Sequence, residues 1–355
     1  MSKKTQKTLY YTLSFLTLIL AFVVITWLAS GATFGAAGAG AAKEGIASGK
    51  DHPEVRATMA VQDRHTRRLM SHPDIVGTAT GHADDGRPAV LIFTKKRLGP
   101  SFIPSHLEGK PVVEKVTGPI FALARPAAKI YPAKYFTRPV PIGVSTGNRG
   151  ECSAGTIGAR VVRGNNLYAL SNNHVYALEN EADIGSEILQ PGLYDTKCVY
   201  RESNVIGMLA DLEPIDFSGD NIIDAALASV AADMVGNATP ADGYGTPKSE
   251  TAAPSVGQKV QKYGRSSSLT KGTVLGINAR ISVIYGSRVA VFTDQIMVSG
   301  KSGFIKPGDS GSLLVTYPGR NPVGLLFAGN SSGSYAWANP IDEVLDAFNV
   351  KIDGE

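Results

Sequence analysis

Beyond Gly150, the chain is a succession of short runs rich in valine, isoleucine, leucine and threonine, interrupted by glycine, proline and polar turn residues. Such runs are typical of β-strands, and their close spacing is typical of sandwiches and barrels. A polar, Pro- and Gly-containing stretch from Gly236 to Ser255 divides the series in two. We therefore expect an all-β sandwich or pair of barrels, with strands at 156–162, 167–170, 205–209, 222–230, 259–263, 273–284, 289–298, 311–316 and 323–327.

One helix is expected near the C-terminus. In Pro340–Phe348 the apolar residues Ile341, Val344, Leu345 and Phe348 recur at helical spacing. The expected mainly β domain, residues 151–355, therefore ends on a helix.

The N-terminal residues 1–42 predict export. Lys3, Lys4 and Lys7 precede the uncharged apolar stretch 9–29, whose length matches a spanning helix with a cytoplasmic N-terminus. The small-residue tail includes Ala37-Gly38-Ala39, which a signal peptidase would accept. Both an uncleaved membrane anchor and a cleaved signal peptide are consistent with this pattern, and either places the rest of the chain outside the cytoplasm.

Residues 43–123 predict a small α+β module. Pro53 opens a helical segment, and strand-like runs at 75–80 and 89–94 flank the turn Asp84-Asp85-Gly86, with a further strand at 112–116. The module is either an additional domain or a pro-region that assists folding or covers an active site. The proline-rich residues 124–150 predict a linker without regular structure.

Charge and cysteine usage exclude some functions. The net charge of +4 is modest and the basic residues are scattered, so nucleic-acid binding is not expected. The only two cysteines, Cys152 and Cys198, are expected either to form a disulfide in an oxidising compartment or to remain as buried thiols. Potential ligands in the second half are too few to predict a zinc site.

The segment Lys306–Ser312 has the composition of a nucleophile loop. In Gly308-Asp309-Ser310-Gly311 the glycines allow the backbone to turn sharply and approach a substrate carbonyl. Such a turn would direct the N–H groups of Gly308 and Ser310 into one concavity, where they could stabilise an oxyanion. Glycine and serine are also common in ordinary turns, so this segment alone does not identify a nucleophile.

Two further residues complete a candidate set. His174 is the only histidine after Arg138, and it follows the predicted strand 167–170. Asp224 is embedded in an apolar run, where an ionised carboxylate requires a nearby donor, and a histidine N–H would serve. The order His174, Asp224, Ser310 excludes the α/β-hydrolase order and matches the chymotrypsin order.

These segments resemble the trypsin/chymotrypsin-like serine proteases of bacteria over roughly Gly150 to the C-terminus. Leu170–Val175, Asp224–Leu227 and Gly308–Gly311 resemble the histidine, aspartate and serine motifs of that family. Gly264–Val274 resembles a stretch of the alpha-lytic branch. The resemblance implies two six-stranded β-barrels of the chymotrypsin type.

The resemblance also implies roles for individual residues. Arg265 would pair with Asp309 and support the oxyanion loop. Phe304 falls at the floor of the primary specificity pocket, which favours an apolar or small substrate side chain over lysine or arginine. Phe327-Ala328-Gly329 falls where the family pairs a strand with the substrate backbone, although it is also consistent with an ordinary core strand.

The sequence thus predicts an exported serine endopeptidase that needs no cofactor and no metal and acts on proteins or peptides. Two alternatives remain at this point. One is a protease-like fold that has become a binding or regulatory protein, and the other is an esterase on the same scaffold.

Overall fold

The computed structural model describes residues 48–123 and 133–355, which belong to one compact unit. The predicted membrane or signal segment 9–29 lies outside these residues. Among the helices within the described ranges, none has the length and hydropathy needed to cross a membrane.

The described residues are mainly β. The helices are α1 (Pro53–Leu69), α2 (Asn173–Tyr176) and α3 (Ile341–Phe348). The strands, in chain order, are β1 (Ile75–His82), β2 (Pro88–Thr94), β3 (His106–Leu107), β4 (Lys110–Val116), β5 (Ile120–Ala122), β6 (Ser145–Asn148), β7 (Gly155–Thr156), β8 (Ala159–Arg163), β9 (Asn166–Ser171), β10 (Glu187–Leu189), β11 (Val205–Leu212), β12 (Asp220–Asn221), β13 (Ala226–Val230), β14 (Lys259–Gly264), β15 (Ser268–Tyr285), β16 (Arg288–Gly300), β17 (Leu313–Thr316), β18 (Pro322–Asn330), β19 (Tyr335–Pro340) and β20 (Lys351–Ile352).

The first sheet contains eight strands in the order β20-β8-β9-β13-β11-β10-β6-β7. Its strands β8, β9, β13 and β11 pair antiparallel with their neighbours. Helix α3 buries its apolar stripe, including Val344 and Phe348, in a cluster that contains Leu170 and Leu227 of this sheet and Leu325 of β18. The predicted C-terminal helix is confirmed. Its apolar residues recur at helical spacing because one face of the helix is buried.

The second sheet contains twelve strands, of which β14 to β19 pair in a closed ring. The order β16-β19-β18-β17-β14-β15 is completed by pairing of β15 with β16. Closure removes the exposed edges that an open antiparallel sheet would present. The predicted mainly β class is confirmed. The polar stretch between β13 and β14 does not divide the two sheets in sequence, because β1 to β5 and β12 belong to the second sheet and β20 belongs to the first.

The N-terminal α+β segment extends this second sheet. Strand β1 pairs antiparallel with β15, and β2 and β4 continue the sheet outward. Helix α1 covers these strands with a buried stripe that includes Val55 and Val61, and buried Gln62 donates through Nε2 to the carbonyl of Asn278, 2.7 Å away. The segment is therefore joined to the second sheet by backbone pairing and by side-chain contacts.

The expectation that residues 124–150 contain no regular element is wrong for Ser145–Asn148, which forms β6. All four of its residues are buried, and β6 pairs with β10 and β7. Its residues are polar and do not show the alternation of apolar residues that predicts a strand, yet their side chains form hydrogen bonds inside the fold. Asn148, for example, donates to the carbonyl of Tyr176 at 2.7 Å.

Cys152 and Cys198 form a disulfide with a Cα–Cα separation of 5.2 Å, which confirms the pairing alternative. The bridge closes a loop between residues 46 positions apart. In the chain-entropy model such a loop stabilises the native state by about 4 kcal/mol.

We expect Cys152→Ala, made together with Cys198→Ala, to lower the free energy of unfolding by about 4 kcal/mol, because the denatured chain regains loop freedom. Urea denaturation of the wild-type protein and the double variant measures the difference. Adding a reductant should shift only the wild-type curve. Superimposable curves for the two proteins would contradict a stabilising bridge.

Candidate active site

The segment that carries His174 is fixed by its two preceding asparagines. Strand β9 ends at Ser171, and the single turn of α2 then places His174 inside the molecule. The Nδ2 group of Asn172 donates to the carbonyl of Asp224 at 2.7 Å, and that of Asn173 donates to the carbonyl of Glu213 at 2.7 Å. These bonds tie the histidine segment to the connections on either side of β12, with Glu213 before that strand and Asp224 after it.

Asp224 contacts the histidine twice. Its Oδ2 lies 2.5 Å from Nδ1 of His174, and its Oδ1 accepts the backbone N–H of the same residue at 3.1 Å. Both side chains are fully buried. The partner that an ionised Asp224 requires in an apolar setting is therefore the imidazole, with the ring held in a defined orientation.

A second donor to Asp224 is Tyr285, at the end of β15. Its hydroxyl donates to Oδ2 at 2.8 Å. Burial, followed by the negative charge of Asp224, raises the pKa of Tyr285 well above its usual value, so the phenol keeps its proton as a donor. Sequence reasoning missed Tyr285, because it occurs in an ordinary alternating strand pattern 61 positions from its partner.

Ser310 lies in a tight turn between Gly308 and Gly311, which have φ angles of 95° and 90°. A Cβ on Gly311 would lie 2.3 Å from Oγ of Ser171 and 2.3 Å from the carbonyl oxygen of Thr156. Both the left-handed backbone and the available space therefore require glycine at position 311. The N–H of Thr156 also donates to the carbonyl of Ser310 at 2.8 Å, joining the turn to β7.

The Ser310 hydroxyl and the outer nitrogen of His174 are both buried. Oγ of Ser310 donates to the carbonyl of Phe327 at 3.2 Å. Within the described residues, Nε2 of His174 is a buried nitrogen without a hydrogen-bond partner. Unsatisfied buried nitrogens are rare and are often functional. Transfer of the Ser310 proton to Nε2 requires the hydroxyl to leave the Phe327 carbonyl.

Asp309 anchors the loop through several donors. Its carboxylate accepts the N–H groups of Ser266 at 2.7 Å, Ser267 at 3.1 Å and Lys306 at 2.8 Å. The ammonium of Lys262, fully buried like Asp309, lies 3.0 Å from Oδ2. Burial lowers the pKa of Lys262, and the charge and hydrogen bond of Asp309 oppose that shift.

The expected pairing of Arg265 with Asp309 is wrong. The guanidinium of Arg265 pairs with Asp195, and Lys262 takes the place expected for the arginine. Asp195 lies in the helical turn Leu193–Thr196 of the first sheet's connections, 70 positions from Arg265. Nothing in the sequence near either residue indicates this pair, because it forms only when the two sheets meet.

Arg265 still contributes to the loop indirectly. Its Nη1 donates to Oγ of Ser266 at 2.7 Å, and that hydroxyl donates to the carbonyl of Pro307 at 2.6 Å. The backbone N–H of Ser266 meanwhile binds Asp309. Arg265 therefore positions Ser266, and Ser266 contacts both ends of the turn preceding Ser310.

We expect Lys262→Met to lower the free energy of unfolding by roughly 3–5 kcal/mol, because Asp309 loses the cation that compensates its buried charge. Lys259→Met on the same strand is the matched control. Its ammonium is bonded to Thr273 at an exposed position, so its loss should change stability by less than about 0.5 kcal/mol. Equal denaturation midpoints for the two variants would contradict an ion pair at Lys262.

The predicted substrate-pocket residues lie on two elements. Phe304 is 2% exposed and lies in the connection between β16 and β17, where it packs in the same cluster as Ile305. Phe327, Ala328 and Gly329 belong to β18, and the Phe327 carbonyl faces the Ser310 hydroxyl. The Phe327 carbonyl therefore lies beside the turn that carries Ser310, and Phe304 belongs to the same β16–β17 connection as that turn.

The N–H of Gly308, one of the two predicted oxyanion donors, is occupied in this structure. It donates to the carbonyl of Leu123, 2.7 Å away. Leu123 follows β5, which pairs antiparallel with β18. A peptide carbonyl thus lies at the position predicted to receive a developing oxyanion.

Comparison with known proteins gives partial matches. The family model described as the Nal1 C-terminal domain matches residues 246–336. No curated protein matches the chain.

Among solved structures, the chain resembles bacterial chymotrypsin-like serine proteases over about 60% of its length. A glutamic acid-specific serine protease is 20% identical, with a TM-score of 0.45, over 60% of this chain and 100% of its own. Thermobifida fusca protease A is 18% identical, with a TM-score of 0.44, over 61% and 99%. Cellulomonas bogoriensis chymotrypsin is 20% identical, with a TM-score of 0.43, over 61% and 99%.

Proposed function

We propose that the protein is a serine endopeptidase that hydrolyses peptide bonds through an acyl-enzyme, with Ser310 as nucleophile, on a two-barrel scaffold of the chymotrypsin type. The observation that carries the proposal is the buried pair of His174 and Asp224, 2.5 Å apart, with the outer imidazole nitrogen unpartnered among the described residues. A histidine held in this way by a carboxylate is suited to act as a base.

In the proposed reaction, Oγ of Ser310 attacks the substrate carbonyl while Nε2 of His174 accepts its proton. Asp224 keeps the proton of the neutral ring on Nδ1 and stabilises the imidazolium that forms. The N–H groups of Gly308 and Ser310 stabilise the oxyanion. His174 then gives the proton to the leaving amine, and water releases the acyl group by the reverse sequence of proton transfers.

The role of the Asp309 network is to hold the turn. Its carboxylate binds three backbone N–H groups and the Lys262 ammonium, so the N–H of Gly308 keeps its direction when charge develops on the substrate. A preorganised donor of this kind costs no reorganisation at the moment of reaction. Asp309 and Lys262 are therefore positioning residues in this proposal and do not contact the reacting atoms.

The proposal includes action outside the cytoplasm. The Cys152–Cys198 disulfide is the kind of bond that forms in oxidising compartments. Residues 9–29 are proposed as the export segment, either retained as an anchor or removed.

Labelling with a fluorophosphonate, followed by intact-mass measurement, tests the nucleophile. We expect one adduct on the polypeptide that carries Ser310 and none on Ser310→Ala. The Leu123 carbonyl, just after β5, accepts the N–H of Gly308, so a Phe121→Pro variant is labelled in parallel. Proline has no N–H to donate to the neighbouring strand, so β5 of this variant should be held less tightly against β18. Absence of label from both folded proteins would favour a silent protease-like binding protein, and comparison of peptide with ester substrates separates a peptidase from an esterase.

A further inference from the structure

Residues 120–123 lie in an extended strand along β18. The register places Ile120 opposite Asn330, Phe121 opposite Gly329 and Ala122 opposite Ala328. The strand is also held upstream, since Nδ2 of Asn330 donates to the carbonyl of Thr117 at 3.1 Å. The chain therefore supplies its own peptide to the strand predicted to pair with substrate.

The backbone of Leu123 continues this pairing into the candidate active site. Its N–H donates to the carbonyl of Phe327 at 3.4 Å, and its carbonyl accepts the N–H of Gly308 at 2.7 Å. The Phe327 carbonyl also accepts the hydroxyl of Ser310. Leu123 and the nucleophile Ser310 thus share the Phe327 carbonyl as a hydrogen-bond acceptor, which brings the Ser310 hydroxyl close to the backbone of Leu123.

The alternation of antiparallel pairs supports a substrate-like register. Hydrogen-bonded pairs occur at every second residue along an antiparallel ladder. Because Leu123 bonds to Phe327, the next hydrogen-bonded pair is Phe121 with Gly329. Phe121 and Leu123 therefore both pair with β18, and this pairing places the carbonyl of Leu123 at the N–H of Gly308.

The side chain of Leu123 fills an apolar pocket. It is 5% exposed and packs in one cluster with Phe304 and Ile305. A Cβ on Gly329 would lie 3.1 Å from Cδ1 of Leu123 and 2.9 Å from Cγ2 of Ile305. Glycine at 329 therefore leaves room for a leucine-sized side chain, and Phe304 and Ile305 provide no group to pair a charged one.

We propose that Ile120–Leu123 is bound as a substrate, that the protein cleaves its own chain after Leu123, and that the same pocket selects external peptides with a leucine-sized apolar residue on the acyl side of the scissile bond. This inference rests on the proposed peptidase function and specifies its substrate class and its first substrate.

The atoms of the cleavage balance with water as the only co-reactant. Oγ of Ser310 bonds to the carbonyl carbon of Leu123, and the bond from that carbon to the nitrogen of the following residue breaks. The serine proton passes through His174 to the departing amine. Water then cleaves the ester, which leaves a carboxylate on Leu123 and restores the Ser310 hydroxyl. The new carboxylate still lies beside the Gly308 N–H, so the cleaved strand remains an inhibitor until it is displaced.

Intact-mass measurement and N-terminal sequencing of the denatured full chain test the cleavage. We expect two fragments from the wild-type protein, one ending at Leu123 and one beginning at the next residue. Ser310→Ala should remain a single uncut chain. A wild-type chain that remains intact, or is cut elsewhere, while Ser310 still accepts a fluorophosphonate would overturn the inference and leave the proposed function standing.

Replacement of Leu123 tests the pocket. Leu123→Lys should slow self-cleavage by at least about 100-fold, because its ammonium would enter an apolar pocket without a counter-ion. Val116→Lys, at an exposed position of β4, is the matched control and should cleave at the wild-type rate. Leu123→Val keeps an apolar side chain and should slow cleavage by only about tenfold. Equal rates for the lysine and valine variants would contradict selection by this pocket.

External peptides provide a measurement that does not depend on folding of a variant. The p-nitroanilides of Ile-Phe-Ala-Leu and Ile-Phe-Ala-Lys are compared on wild-type protein, and kcat/KM should favour the leucine peptide by at least about 100-fold. Similar values for both would overturn the specificity assignment. Hydrolysis of neither peptide by the wild-type protein or by Phe121→Pro, together with no fluorophosphonate adduct on either, would instead reject the proposed peptidase function.

Discussion

Ser310→Ala is expected to lower turnover on a peptide substrate by about 10⁶-fold, because the acyl-enzyme route loses its nucleophile while the rest of the site is retained. The substitution removes Oγ, with its hydrogen bond to the Phe327 carbonyl, and no other atom of the site, so the fold should tolerate it. The measurement is kcat on the leucine p-nitroanilide, with near-ultraviolet circular dichroism as a check on tertiary structure. The variant should still hydrolyse the peptide about 10³-fold faster than the uncatalysed reaction in water, because the oxyanion donors and substrate binding are retained.

Ser302→Ala is the matched control for this variant. Ser302 lies in the same connection between β16 and β17, and its hydroxyl makes an exposed bond to the carbonyl of Ser332. Its loss should change kcat by less than about twofold, since exposed substitutions away from the site have small effects. Turnover in Ser310→Ala within tenfold of the wild-type value would exclude Ser310 as the nucleophile.

Asp224→Asn is expected to lower kcat by about 10⁴-fold. The amide has nearly the shape of the carboxylate, but an –NH₂ group facing Nδ1 of His174 forces the proton of the ring onto Nε2. That nitrogen then cannot accept the serine proton. The imidazolium formed during attack also loses the negative charge now 2.5 Å away. Pre-steady-state measurement of acylation isolates this step.

Two comparisons make the Asp224 result specific. Asp220→Asn changes a carboxylate that is 51% exposed and paired with Arg280, and it should leave kcat within about twofold of wild type. Tyr285→Phe removes one hydrogen bond to Asp224 but keeps the charge, and it should cost about tenfold to 100-fold in rate. A loss in Asp224→Asn no larger than that in Asp220→Asn would contradict the role assigned to Asp224.

Much of the secondary structure follows from local pattern. The helix beginning at Pro53 and the helix 341–348 are visible because their apolar residues recur at helical spacing, which is the condition for packing one face on a sheet. Most long strands are visible for the corresponding reason. Strand β6 is not, because its residues are polar and their burial depends on partners such as Tyr176.

The candidate site was only partly predictable. His174, Asp224 and Ser310 each carry a local signal, namely a lone histidine, a carboxylate in an apolar run and a serine between glycines. Their supporting residues carry none. Lys262 and Asp195 occur in unremarkable contexts, so an arginine-to-aspartate pairing assigned by resemblance selected the wrong partner for Asp309.

Sequence alone indicated the mainly β class and the candidate reacting residues, and it left Cys152 and Cys198 as either a disulfide or two buried thiols. These depend on residue type and short-range spacing. Tertiary structure decided that Lys262 rather than Arg265 neutralises Asp309, that Tyr285 donates to Asp224, and that Leu123 lies on Gly308. Such contacts join residues far apart in sequence, and which groups meet depends on how two sheets and an N-terminal segment pack together.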